Sequence, residues 1–337
     1  VFCNSGTEAT LYAIRAARAF TGKSRVATFE GSYHGAHDYV LVQADRRSDR
    51  HAPAGRPRGK GIPQATAEQV LILPYRDPAA FELIERNRDE LALVMIEPVQ
   101  SANPRLDNRE YLHALAEVCR KNGVLFMLDE VITGFRIAYG GCQEFYGLAP
   151  DLATYGKAVG GGLAIGAVAG RKDIMRQFST DMFSRDAVFA AGTFSGNPLT
   201  MAAGCAAVEY MRDHKNEIYP YLKEQGDRFA RAINQYCVDH EIPARIMNAA
   251  SMLNLIWTRG PIESARDIGG EFHTAERAFY LHLLCHGVIV PGIHIAFLST
   301  AHSPRDVDEV IEAFKRSFDD VLVDAPILLG NRAEARA

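Results

Sequence analysis

The sequence predicts an α/β protein: a large first domain built on a mainly parallel sheet, followed by a smaller α+β domain. Three observations carry this. The first two hundred residues alternate short β-branched or aromatic runs with longer helical patterns, as βα units do. After about residue 213 the pattern changes to one long amphipathic segment followed by short strand-like runs. A chain of 337 residues, 47% of them hydrophobic, is long enough to bury a core in each part. The expected division is 1–213, 214–320 and a tail over 321–337.

The elements follow in order. Val1-Phe2-Cys3-Asn4-Ser5-Gly6 reads as the end of a strand entering a turn, and without an initiator Met it suggests that an N-terminal segment is missing. In the helix expected over Thr7–Phe20, Ala9, Ile14, Ala17 and Phe20 recur near the helical period, and Gly22 follows as a stop. Strands are expected at Arg25–Phe29, Ala92–Ile96, Leu125–Leu128, Leu152–Tyr155 and Ile165–Ala169, with helices at Arg109–Lys121 and Pro198–Arg212. Between Asp45 and Gly61, Arg46, Arg47, Arg50, Arg56, Arg58 and Lys60 lie among Pro and Gly. That segment reads as a mobile surface loop, either simply solvated or a docking patch for an acidic partner. The second domain is expected to hold a helix over Tyr219–His240, strands at Ala244–Met247 and Leu253–Trp257, a helix over Thr274–His286, strands at Val288–Val290 and Ala296–Leu298, and a last helix from Pro304 to about Phe318. The charged, Ala-rich Gly330–Ala337 is expected to fray.

Composition narrows the function classes. A net charge of −4 with Lys and Arg spread along the chain marks neither a nucleic-acid binder nor a membrane-surface binder, so a small-molecule partner is expected first. Cys3, Cys119, Cys142, Cys205, Cys237 and Cys285 lie far apart without a C-x-x-C pair, which argues against a disulfide framework or structural zinc and fits a cytoplasmic setting. No apolar run approaches the roughly 20 residues of a membrane span, and Val1 opens no signal-peptide pattern.

Three segments carry chemistry. Asn4-Ser5-Gly6-Thr7-Glu8 sits where a strand enters a helix. Unpaired N–H groups, a glycine that permits close approach and two hydroxyls suit a phosphate there, although an ordinary N-cap by Ser5 or Thr7 reads equally well. Leu125-Phe126-Met127-Leu128 runs into Asp129 and Glu130, and a carboxylate at the carboxyl end of a buried strand lies where α/β folds place ligands. Buried, it needs a cationic or hydrogen-bonding partner; a protonated pyridine nitrogen would serve, and so would a turn that it caps. Lys157 follows the apolar strand Leu152–Tyr155 and precedes Gly160, Gly161 and Gly162. Desolvation there would lower its pKa and make it an amine nucleophile for a Schiff base, while the glycines would let the loop pack against a flat ring. Because the lysine precedes the glycines, the order of a P-loop is absent.

Together with Tyr33-His34-Gly35, Glu97-Pro98, Asp129 through Arg136, and Gly192-Thr193-Phe194-Ser195-Gly196-Asn197-Pro198, these segments resemble the class III aminotransferases. The likeness is nearly unbroken over the first two hundred residues and looser to about Phe318. It implies a fold-type I enzyme that uses pyridoxal 5'-phosphate (PLP). Lys157 would form the internal aldimine and then act as general base. Asp129 would pair with the pyridinium nitrogen; Ser5, Gly6 and Thr7 would hold the phosphate; Tyr33 and Val131 would press on the two ring faces. Thr193 would reach the phosphate of a neighbouring subunit, so a homodimer is implied. Glu97 would lie near the substrate, and His34 would be either a site residue or a packed neighbour of Tyr33.

Within the family, the large branch nearest to this chain is glutamate-1-semialdehyde aminomutase. Near the place where that branch has a Glu and many aminotransferases have a carboxylate-clamping Arg, this chain has His294. A closer likeness is to aminotransferase domains of hybrid polyketide–peptide synthases, through Glu97-Pro98-Val99-Gln100-Ser101, Asp151 through Lys157, and Phe297 through His302. That likeness implies a β-keto thioester on an acyl carrier protein, which the basic segment Arg46–Lys60 would meet. The expected activity is transfer of nitrogen from an amino-acid donor to a keto or aldehyde acceptor. The alternatives are the intramolecular transfer of an aminomutase and a catalytically silent protein of the same fold.

Overall fold

Leu91–Ile96 is a run of six apolar residues, all fully buried, and forms an inner strand of a seven-stranded sheet. Strands of a parallel sheet covered on both faces read as such continuous runs. The computed structural model describes residues 1–178, 186–268, 272–290 and 295–324. These form two compact units, one of Val1–Gln100 with Leu106–Lys215, the other of Ser101–Arg105 with the chain from Asn216 onward.

The first unit begins with β1 (Phe2–Cys3), α1 (Gly6–Thr21), β2 (Arg25–Phe29), β3 (Val42–Ala44), β4 (Gly55–Pro57), α2 (Gln64–Ala67), β5 (Val70–Leu73) and α3 (Ala79–Asn87). It continues with β6 (Leu91–Ile96), α4 (Arg109–Lys121), β7 (Leu125–Asp129), α5 (Gly141–Tyr146), β8 (Leu152–Gly156), β9 (Gly166–Gly170), α6 (Lys172–Met175) and α7 (Pro198–Asp213). The sheet order is β1-β9-β8-β7-β6-β2-β5. Strands β5, β2, β6, β7 and β8 run parallel, β9 runs against β8, and β1 runs against β9. The carboxyl ends of β1, β2, β6, β7 and β8 therefore all point to one edge. Helix α1 lies on β8 and β9 through Ala9, Ala13, Ala16 and Ala17, all fully buried, whose small side chains let it approach closely. It ends at Gly22, whose φ of 71° is left-handed and whose N–H donates to the Arg18 carbonyl.

The second unit comprises α8 (Lys215–Asp239), β10 (Ala244–Ala249), β11 (Met252–Trp257), α9 (His273–Cys285), β12 (Ala296–Phe297) and α10 (Pro304–Asp324). Its antiparallel sheet has the order β10-β11-β12. Trp257, Phe279, Phe314 and Phe318 form its aromatic core, with Phe279 and Phe318 rings 4.5 Å apart.

Three sequence expectations change and one strand is new. Asp45–Gly61 is not a plain loop: Gly55–Pro57 pairs antiparallel with Val42–Ala44, because Val42 and Ala44 bury their side chains and Gly55 packs against Val42. Val70–Leu73 adds an edge strand to those expected. Val288–Val290 is not a strand, although Val288 and Val290 pack on the second core while Ile289 is 80% exposed. The run has the alternation of a strand without joining the ladder. The last helix continues past Phe318 to Asp324, keeping Val321 in the core. The tail expected to fray lies outside the described residues.

Candidate active site

The shared strand edge opens into a cavity of about 310 Å³, within the range of small-molecule sites. Asn4 through Thr7 line it from the start of α1, Tyr33 through Gly35 from beyond β2, and Glu97 from beyond β6. Asp129, Val131 and Ile132 line it at and beyond the end of β7, Lys157 beyond β8, and Leu163 through Ile165 just before β9. Segments distant in the chain meet here because parallel connections return each strand in the same direction.

Asp129 is only 4% exposed, and both its carboxylate oxygens are engaged, Oδ2 by a single contact. Oδ1 accepts from the Val131 N–H at 3.1 Å and the Thr154 hydroxyl at 2.9 Å, and Oδ2 lies 2.7 Å from His34 Nδ1. With Nδ1–H donating to Asp129, Nε2 is buried with no partner among the described residues. Glu130 faces away from the cavity. It accepts from the Thr133 hydroxyl at 2.5 Å and from the N–H groups of Cys142 and Gln143 at 3.0 Å, holding the start of α5. Burial nevertheless pushes its pKa up.

Lys157 follows β8 with φ +48°, the left-handed region that L residues avoid. Its side chain reaches the open cavity, yet surrounding protein lowers its pKa. Burial is the largest cause; Asp129 and Glu97 raise it and Arg136 lowers it further. Such an amine yields its proton more readily than an ordinary lysine. The adjacent glycines also allow close packing within the chain. A Cβ on Gly161 would lie 2.7 Å from the Ala203 carbonyl, and one on Gly160 would lie 2.8 Å from Ile165, so they seat this turn under α7.

At the start of α1, the Ser5 hydroxyl accepts the Glu8 N–H at 3.2 Å and the Thr7 hydroxyl accepts the Ala36 N–H at 3.2 Å. Ser5 is thus an N-cap as well as a cavity residue. Each hydroxyl retains its own O–H, with no acceptor among the described residues, beside a helix N-terminus. That is a donor set for a phosphate. The buried carboxylate, the accessible amine and this cup fit the three functional parts of PLP: pyridine nitrogen, aldehyde and phosphate.

Glu97 is 3% exposed and accepts the Tyr33 backbone N–H at 2.9 Å, so it fixes the aromatic residue at the rim. Asn4 was not singled out in the sequence, though it stands within the first motif. It lines the cavity and its Nδ2 lies 3.3 Å from Ser195 Oγ. Thr193 is exposed and does not line the cavity of its own chain. His294 lies outside the described residues.

The family model for aminotransferase class-III matches residues 1–305. The chain belongs to that family. Among curated relatives of this class-III aminotransferase, glutamate-1-semialdehyde 2,1-aminomutase of Methanocaldococcus jannaschii is 37% identical over 323 residues, covering 94% of this chain and 73% of the relative. A Thermus thermophilus protein of the same name is 38% identical over 316 residues, covering 93% and 72%. An omega-transaminase from Sphaerobacter thermophilus superposes with a TM-score of 0.87 at 32% identity, covering 95% of this chain and 74% of that one. A transaminase with PLP bound gives 0.82 at 27% identity, covering 96% and 74%. The fold is that of the fold-type I PLP transaminases, and PLP is the cofactor of the family. None of these relatives is a polyketide–peptide synthase domain, so that closer likeness and its carrier-protein partner find no support in them. Among the described residues, no helix is long and apolar enough to cross a membrane and no group of His, Cys, Asp or Glu is placed to hold a metal.

Proposed function

We propose that this chain is a PLP-dependent amino-transfer enzyme in which Lys157 is the catalytic amine. The carrying observation is that an amine with a lowered pKa and a buried, hydrogen-bonded Asp129 open into one cavity beside a hydroxyl-lined helix start. PLP, when bound, supplies an electron sink for a carbanion at the substrate carbon. Asp129 would hold the proton on the pyridine nitrogen, with His34 Nδ1–H orienting its carboxylate. Ser5 and Thr7 would donate to the phosphate. Lys157 would take the proton from the substrate carbon and return it at a second position. Tyr33, fixed by Glu97, and Val131 would confine the ring.

Intramolecular transfer, as in glutamate-1-semialdehyde 2,1-aminomutase, is the first reading of the reaction, because the curated relatives quoted above carry that name. Exchange between a separate donor and acceptor is the second, supported by the likeness to the omega-transaminase. Exposed Phe189, Phe194 and Leu199, 64–72% open to solvent near Thr193, support a homodimer. The six free thiols suit a cytoplasmic setting.

The test is the absorption spectrum of the PLP-loaded protein. A visible band lost in Lys157→Ala supports the reading, and a band that does not depend on the lysine overturns it. Isomerisation of glutamate 1-semialdehyde without any added amine would favour the aminomutase; bleaching only with separate donors would favour the transaminase.

A further inference from the structure

The geometry points to Arg58 as the group that recognises a substrate carboxylate at the mouth of this cavity, an inference that rests on the amino-transfer reading. Among the described residues, the cavity lining offers only one Lys or Arg side chain, Lys157. Once that amine is engaged with the cofactor, the described lining keeps Glu97 and Asp129 and no cation. Any carboxylate-bearing substrate would then meet like charge unless a cation reaches in from the rim.

Arg58 is positioned to do so. It follows directly after β4, and its backbone N–H donates to the Leu41 carbonyl at 2.8 Å, which fixes the residue beside the β3–β4 hairpin. Its guanidinium carbon lies 5.9 Å from the centroid of the Tyr33 ring, at the outer limit of a cation–π contact. Tyr33 itself lines the cavity and is 46% exposed. Among the described residues Arg58 has no carboxylate partner, whereas Arg76, Arg120, Arg171 and Arg228 each pair with one. A planar guanidinium parked on the rim aromatic, exposed and without an ion pair, can give a carboxylate two parallel hydrogen bonds. Arg58 is thus a specificity residue for acidic substrates and takes no part in the proton transfers.

The test uses the PLP-loaded full chain and two probes, glutarate and its uncharged diamide glutaramide, titrated calorimetrically while the lysine-dependent absorption band is recorded. Wild type should bind glutarate more tightly than glutaramide. Arg58→Ala should weaken glutarate at least tenfold and leave glutaramide unchanged, and Arg58→Lys should fall between. Three results would overturn the assignment: no preference of wild type for glutarate, equal affinity in Arg58→Ala, or a loss confined to Arg136→Gln. An intact band in every variant shows that the cofactor site stands; a wild type without the band refutes the amino-transfer reading instead.

Discussion

His34 and Asp129 meet through a 2.7 Å contact between Nδ1 and Oδ2, with both side chains buried. The imidazole thereby supplies one of three donors that keep a carboxylate at the cavity floor. Asp129→Asn is expected to cut amino transfer about 10²–10³-fold, the scale for losing a charge placed at the reacting system. His34→Asn, which removes one charge-assisted hydrogen bond, should cost about tenfold. Single-turnover kinetics of the two variants would check the ranking, and an equal loss in both would show that His34 does more than orient its neighbour.

Cofactor capture should follow the neutral amine of Lys157. Since burial above all lowers that pKa, the rate of band formation on adding PLP to apoprotein should level off below the 10.5 of an ordinary lysine. Glu97→Gln removes a charge that raises the pKa and should move the midpoint lower. Arg136→Gln removes one that lowers it and should move the midpoint higher. Stopped-flow pH profiles would show whether the two shifts oppose each other.

Glu130 links stability to pH. Its folded pKa is raised by burial, so its contribution is complete below the unfolded carboxylate value and declines as pH rises through the folded one. Glu130→Gln turns an amide toward the Cys142 and Gln143 N–H groups and should cost about 1–3 kcal/mol. That cost should be largest near pH 4 and smaller at pH 8, as measured by urea unfolding at the two pH values.

Close backbone approach around the cavity predicts a contrast between glycines. A Cβ on Gly166 would stand 2.1 Å from the Ser5 carbonyl, whereas one on Gly22 meets nothing within 4 Å. Gly166→Ala should destabilise by about 1–3 kcal/mol through overpacking and loosen the phosphate cup. Gly22→Ala should carry only its left-handed strain, about 1 kcal/mol. Thermal melts and PLP retention on a desalting column would separate them.

If the exposed face near Thr193 joins two copies, Phe194→Asp should yield monomers in sedimentation velocity and weaken PLP retention. A dimer that persists would place the interface elsewhere.

Much of this was legible in the sequence because the cavity is built from strand ends. A strand such as Leu125–Leu128 announces itself by continuous apolarity, and a carboxylate after it stands at the ligand edge. Other parts could not be read. Nothing in the adjacent letters says that Asp129 faces the cavity while Glu130 faces α5; the turn after β7 decides that. The packing of Gly161 could not be read either, because its close neighbour, Ala203, lies some forty residues on in α7. Strand β4 escaped notice because Gly and Pro are poor strand formers, and only a cross-strand partner holds them there. Arg58 looked like one basic residue among several until the hairpin set it over Tyr33.

The left-handed backbone of Lys157 bears on the history of the chain. A position with φ +48° accepts Gly or Asn most easily, so the local fold by itself would select against lysine. Under the proposed function, a lysine would be kept there by the demand for its amine. In a lineage that abandoned the chemistry, this site should be among the early ones to drift, and it should drift toward glycine or asparagine. A lysine at this position in a divergent relative would therefore be a sign of retained catalysis, whereas the surrounding strand sequence would persist in either case.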